Sequence, residues 1–187
     1  MAQIGLKNIY VAKITDETGG KITYDTPRKI AHAITANITP NRESSVLYGD
    51  DMAVETEEAL ADIDVEITIT DLNVADYAFL MGSTVDANGG VTDHVDNVAP
   101  YVALGFEVPL SKGGKRLFWY YKGKFGIPSS EHNTKQGSVE YKTPTISGKF
   151  LPREDGKWRY RLDATKTNVD VVADWFNKVQ EEPTQLP

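Results

Sequence analysis

The sequence predicts a mainly β fold, a sandwich or barrel with one helix packed beside it. Three observations carry the prediction. Several short segments alternate apolar and polar residues with the period of a strand. Turn signals separate them: Gly19-Gly20, SKGG at 111–114 and EDG at 154–156. In the first half of the chain, one stretch alone, Asn73 to Met81, repeats its apolar residues at helical spacing.

From the N-terminus, Ile4, Leu6, Tyr10, Ala12 and Ile14 share one parity and predict a strand, with Lys21 to Tyr24 folding back on it through the glycine pair. Lys29 to Ile38 predicts another strand, with Ile30, His32, Ile34, Ala36 and Ile38 on one side. Thr39 to Leu60 contains Pro40 and Gly49 and has little periodicity, so it reads as a long functional loop or arm. Ile63 to Thr70 is a clear strand, with Asp64, Glu66, Thr68 and Thr70 on the face opposite Ile63, Val65, Ile67 and Ile69.

Asp71 or Asn73 can cap the helix that follows, Val74, Tyr77, Leu80 and Met81 form its stripe, and Gly82 can end it. Thr84 to Pro100 is loop-like, with DANGG as a turn. Tyr101–Leu110 and Lys115–Phe125 predict a hairpin about SKGG, and Ser138–Leu151 with Lys157–Leu162 predict a second about EDG. TNVDVVADWFNKVQ, residues 167–180, predicts a short C-terminal helix, and 180–187 a frayed tail. The 187 residues, 40% hydrophobic and 25% charged, suit one domain with a sizeable core.

The N-terminus alternates where a signal peptide would have an apolar run, and no stretch approaches the ~20 apolar residues of a membrane span. The expectation is a soluble intracellular product. The chain has no cysteine, which excludes disulfides, thiolate nucleophiles and cysteine-ligated zinc.

Charge is distributed unevenly. Residues 43–111 carry fifteen carboxylates and no lysine or arginine, whereas residues 112–166 carry thirteen basic and five acidic residues. Two opposed strands inside one fold would account for this, and so would complementary surfaces on separate copies. Little else suggests catalysis. Asp50-Asp51 and Glu57-Glu58 are adjacent pairs, and Asp64 and Glu66 share a strand face, but no histidine or amide-rich motif accompanies them. His32, His94 and His132 lack metal-ligand spacing, and Asp86–Asp93 lacks the closing glutamate of a calcium loop. GGKRLFWYYKGKF, residues 113–125, mixes basic and aromatic residues as single-strand binders do, but a net charge of −7 opposes tight phosphate binding.

IGLKNIYVAKIT, then GKITYDTPRKIAHAITANITPNRESSVLYGDDMAVETEEALADIDVEITI, then VALGFEVPLSKGGKRLFWYYKGKF resemble the major tail protein, or tail tube protein, of long-tailed, non-contractile bacteriophages. The resemblance runs from Ile4 to about Val179. It implies a tail-tube-type β-sandwich or barrel with a flanking helix and a long arm at 39–62. It also implies stacked hexameric rings forming the tube through which double-stranded DNA is ejected. The implied partners are the protein itself, the tape-measure protein, tail-tip or distal tail proteins and the tail terminator. The implied place is the virion tail, assembled in the host bacterial cytoplasm, with no membrane, cofactor or enzymatic activity. The strand Asp62–Thr70 falls where the family has a channel-forming strand.

On that footing Asp64, Glu66, Thr68 and Thr70 are the expected channel lining. An acidic lining would repel the DNA backbone and let it slide. Val46, Leu47, Tyr48, Asp50, Asp51, Met52, Glu55, Glu57 and Glu58 are the expected arm contacts, and Lys112, Lys115, Arg116, Lys122 and Lys124 an expected basic face for stacking. A virion-associated carbohydrate- or receptor-binding β-sandwich is the competing reading, and a small hydrolase a distant third.

Overall fold

A computed structural model describes residues 2–18, 21–30, 32–49, 52–130 and 143–183. The strands are β1 (Lys7–Thr18), β2 (Lys21–Tyr24), β3 (Arg28–Lys29), β4 (Ala33–Gly49) and β5 (Met52–Ile69), then β6 (Val102–Pro109), β7 (Lys115–Phe125), β8 (Thr145–Phe150) and β9 (Arg159–Asp163). Helix α1 (Val74–Met81) follows β5, and α2 (Val169–Ala173) follows β9. The strands form one antiparallel sheet in the order β2-β1-β6-β7-β8-β5-β4, with β3 beside β1 and β9 beside β7. The fold is therefore mainly β with a flanking helix, as the alternation predicts.

The sheet curls on itself. Ile9 and Val11 of β1, Leu104 and Phe106 of β6, Ile63, Val65, Ile67 and Ile69 of β5, and Ile146 and Phe150 of β8 all pack into one cluster, joined by Leu80 and Met81 of α1. From Ile63 to Ile69, every second residue of β5 points into this core because successive side chains of a strand alternate faces. The other face of β6 and β7 carries a second cluster, Ala103, Leu117, Trp119 and Tyr121, covered by Trp175 of the C-terminal segment. Burial raises the phenol pKa values of Tyr24 and Tyr121 at its margin.

Helix α1 begins and ends where its caps dictate. The Asn73 Oδ1 accepts the Asp76 backbone N–H at 2.8 Å. Gly82 closes the helix with φ of 73°, a left-handed conformation that glycine adopts without steric cost. Buried Asp76 accepts from Arg28 at 2.7 Å, which ties the helix to β3.

The observed elements differ from the expected ones in several places. The expected strand Lys29–Ile38 is split between β3, which ends at Lys29, and β4, which starts at Ala33, and the expected C-terminal helix is confined to Val169–Ala173. β8 and β9 do not form a hairpin with each other. The EDG turn does form, with Arg153 N–H donating to the Lys157 carbonyl, but both strands pair with β7, which is long enough to take β9 along Arg116–Tyr120 and β8 along Gly123–Phe125. Ile34 is 48% exposed, because a register shift between Ala33 and Thr35 turns it away from the core that Ala33, Ala36 and Ile38 reach. The stretch Thr39–Leu60 is paired strand rather than loop, with β4 and β5 paired, through two register shifts, out to Gly49 opposite Met52. Residues 42–45 and 56–59 are exposed, so neither face needed to be apolar and the sequence shows no period. Finally, the first residues of the expected tail are docked: Gln180 is buried and Glu181 accepts from Arg153 at 2.5 Å. Residues 184–187 lie outside the described residues.

Candidate functional site

The outer face of β5 is polar from Asp62 to Thr68. Ile63, Val65, Ile67 and Ile69 fill the core side, which leaves Asp62, Asp64, Glu66 and Thr68 on the other. Register places Asp64 between Thr39 of β4 and Lys149 of β8, Glu66 between Asn37 and Ser147, and Thr68 between Thr35 and Thr145. Asp64 and Glu66 are exposed, and Thr68 is half-buried with its hydroxyl 3.1 Å from that of Thr145. Thr70 lies one residue past the strand, exposed at a bend, its backbone N–H donating to the His32 carbonyl at 2.9 Å. Thus three of the four expected lining residues share one polar face, and Thr70 sits at its end.

This surface contains a cation that the strand pattern alone did not reveal. Lys149 Nζ donates to Asp62 at 2.8 Å and lies 3.4 Å from Asp64, while Asn41 Nδ2 donates to both carboxylates at 2.7 Å. Hydrogen bonds from Lys149 and then Asn41 hold the Asp62 carboxyl below its usual pKa, and Asp62 raises that of Lys149. The signal lay in β8: SGK at 147–149 places a lysine two residues from a serine on the polar parity, but its alignment with Asp64 depends on a register that sequence alone does not fix.

Beyond Asp62 the sheet narrows to two strands. The last pairing of β5 with β8 is Ile63 to Phe150, and a register shift opposite Asn41 and Arg42 of β4 leaves Ala61 of β5 as the extra residue. From there the β4–β5 hairpin projects alone. Glu43, Glu57 and Glu58 on it are exposed, and Arg42 bonds Glu58 at 3.2 Å. Val46, Leu47, Tyr48, Met52 and Glu55 fall in its outer part, where only the backbone pairing is described. Asp50 and Asp51 lie outside the described residues.

The five expected basic-face residues form two groups. Lys112, Lys115 and Arg116 are at the β6–β7 turn end, and Lys122 and Lys124 are at the other end of β7, roughly 20–30 Å away at ~3.3 Å per residue. Most are engaged within the chain. Lys115 bonds Glu107 at 3.1 Å, Arg116 bonds Asp163 through two nitrogens, Lys122 bonds Glu17, and Lys124 lies 4.2 Å from the Tyr101 ring centroid. Lys112 is exposed. The acidic and basic blocks therefore meet inside the fold at Glu107–Lys115 and at Asp62 and Asp64 with Lys149. Among the described residues, no three His, Asp or Glu side chains are grouped to hold a metal, and no helix is long and apolar enough to cross a membrane.

A family profile described as phage tail tube protein matches residues 1–145. The chain belongs to the phage tail tube protein family. It is a virion structural protein of a bacteriophage tail. Comparison with curated proteins finds no match. The matched range contains the projecting hairpin, the acidic strand and α1. The remaining 42 residues (187 less 145) supply nearly all of β8, with Lys149, and all of β9 and the C-terminal segment that carries Trp175. In this tail tube protein, both the cation on the acidic face and the cover of the second cluster therefore come from outside the family match.

Proposed function

We propose that the protein assembles into closed rings of six subunits that stack into the tail tube, with the outer face of β5 lining the channel through which double-stranded DNA leaves. The observation that carries this reading is the acidic, exposed face of β5 between β4 and β8. A surface made of Thr35, Asn37, Thr39, Asp64, Glu66 and Ser147 has almost no apolar side chain for a partner protein to bury. It suits contact with water and with a moving polyanion. Carboxylates repel phosphate, whereas each lysine contact would add affinity through counterion release and slow passage.

Lys149 modifies this argument without reversing it. It is held between two carboxylates, so Asp62, Asp64, Glu66 and Lys149 together keep a net negative charge. Ring symmetry repeats that charge in every subunit. Because β4 ends the sheet order, one edge of the acidic face is open, and pairing there with the next subunit would extend the sheet around a channel. The projecting hairpin is the reading's contact arm. The tape-measure protein would occupy the channel before DNA does, with tail-tip and terminator proteins at the two ends.

Negative-stain electron microscopy of the purified protein at high concentration, in low and high salt, tests this reading. Hollow tubes or stacked rings are expected, with a seed of tail-tip and tape-measure proteins where nucleation is slow. Uniform small particles even with the seed would overturn it.

A further inference from the structure

We infer that residues 168–182 form a strap that lifts off the sheet as one unit while the sheet stays folded, and that Arg153 is the latch that holds it shut. The device belongs to a single copy and is independent of ring assembly.

The strap is attached by side chains alone. Among the described residues, no backbone–backbone hydrogen bond joins it to a strand. Its backbone bonds are internal: the Val172 N–H donates to the Asn168 carbonyl, Asp174 to Asp170, and Asn177 to Asp174. From the sheet, the Trp119 indole and the Tyr121 hydroxyl donate to the Trp175 and Gln180 carbonyls. Tyr10 stacks on Phe176, and Tyr160 on Trp175 with centroids 5.5 Å apart. The main core lies on the opposite face of β6 and β7 and contains no residue of the strap. Lifting the strap therefore breaks one small cluster and leaves every ladder bond of the sheet in place. A segment attached in this way opens below the free energy of global unfolding.

Arg153 sits in the EDG turn between β8 and β9. The turn is closed by its own backbone: the Arg153 N–H donates to the Lys157 carbonyl, and the Gly156 N–H to the Arg153 carbonyl. The Arg153 side chain is 4% exposed, yet it meets Glu181 of the strap at 2.5 Å and Asp155 of the turn at 3.3 Å. Opening takes Glu181 away and leaves a buried guanidinium with one carboxylate fewer, which opposes release. Lys157 and Glu182, 3.7 Å apart and exposed, add a weaker tie. Opening also uncovers Leu117, Trp119 and Tyr121 to water, so the closed state dominates.

Because the chain has no cysteine, a single introduced thiol reports on opening. Val102 and Ala103 are neighbours on β6, both wholly buried, and belong to opposite clusters: Val102 to the main core, Ala103 to the cluster under the strap. The test follows thiol labelling of Ala103→Cys and Val102→Cys across low urea concentrations. Val65→Cys, in the main core on β5, is the second control should Val102→Cys fold poorly, and circular dichroism checks each variant. Ala103→Cys is expected to label roughly tenfold faster or more, with little urea dependence. The core variants should accelerate steeply with urea, because global unfolding exposes far more surface than strap opening. Adding Glu181→Gln should speed labelling of the Ala103→Cys variant by roughly tenfold and leave the core variants unchanged. Equal labelling on both faces with one urea dependence would overturn the strap. Faster opening of the strap but no effect of Glu181→Gln would overturn Arg153 as its latch.

Discussion

Trp119 on β7 donates its indole N–H to the backbone carbonyl of Trp175 at 3.1 Å, joining the central strand to the C-terminal segment. Tyr121 does the same to the Gln180 carbonyl at 3.2 Å, and Tyr10 stacks on Phe176 with centroids 4.4 Å apart. The C-terminal segment is thus a cover for the second cluster. Trp175→Ala is expected to cost about 3–5 kcal/mol, the usual range for a buried large aromatic, measured by urea unfolding followed by circular dichroism. Among the described residues the Trp175 indole nitrogen is buried without a partner, so Trp175→Phe removes an unsatisfied donor and should cost clearly less than the alanine change.

Gly123 faces the ring of Phe150, and a Cβ there would lie 2.2 Å from the nearest ring carbon. Gly123→Ala should therefore destabilise by about 1–3 kcal/mol through overpacking. In the Phe150→Leu background the same change should cost less, since the ring that it meets is gone. Additive costs in a double-mutant cycle would refute the contact.

The cap of α1 gives a smaller and cleaner expectation. Asn73→Ala removes the acceptor for the Asp76 N–H and should cost about 1 kcal/mol, while Asn73→Ser or Asn73→Asp should retain most of it. Thermal unfolding of the three variants under one buffer provides the comparison.

The Asp62–Lys149 contact makes a pH prediction. A carboxyl whose folded pKa is depressed stabilises the fold above its unfolded pKa, and that contribution disappears as pH falls through the folded value. Loss is therefore expected only below the ordinary carboxylate range, with the contact intact at neutral pH. Lys149→Met should move the Asp62 midpoint upward in a carboxyl-carbon NMR titration. An unchanged midpoint would show that Asn41 alone holds the carboxylate.

Legibility differed among the elements for physical reasons. Ile63–Ile69 announced its two faces because one is wholly buried and the other wet, and α1 announced its ends because Asn73 and Gly82 are both cap residues. The hairpin at 39–60 has no period in the sequence because alternation reports one-sided burial, and both faces are exposed at 42–45 and 56–59. The β8–β9 pairing failed because a turn signal fixes where the chain reverses but not which edge each strand then finds, and β7 offered a free edge to both. Asp64 and Glu66 were legible as a polar face. Lys149 and Asn41, which temper it, arrive by cross-strand register from segments far away in sequence.

A helical reconstruction of the assembled tube by electron cryomicroscopy would show whether the outer face of β5 lines the channel. The predicted result is a ring in which Asp64 and Glu66 of every subunit point into the lumen, with Lys149 beside them. A tube whose lumen is lined by another face, with Asp64 and Glu66 on its outer wall or buried between subunits, would contradict it.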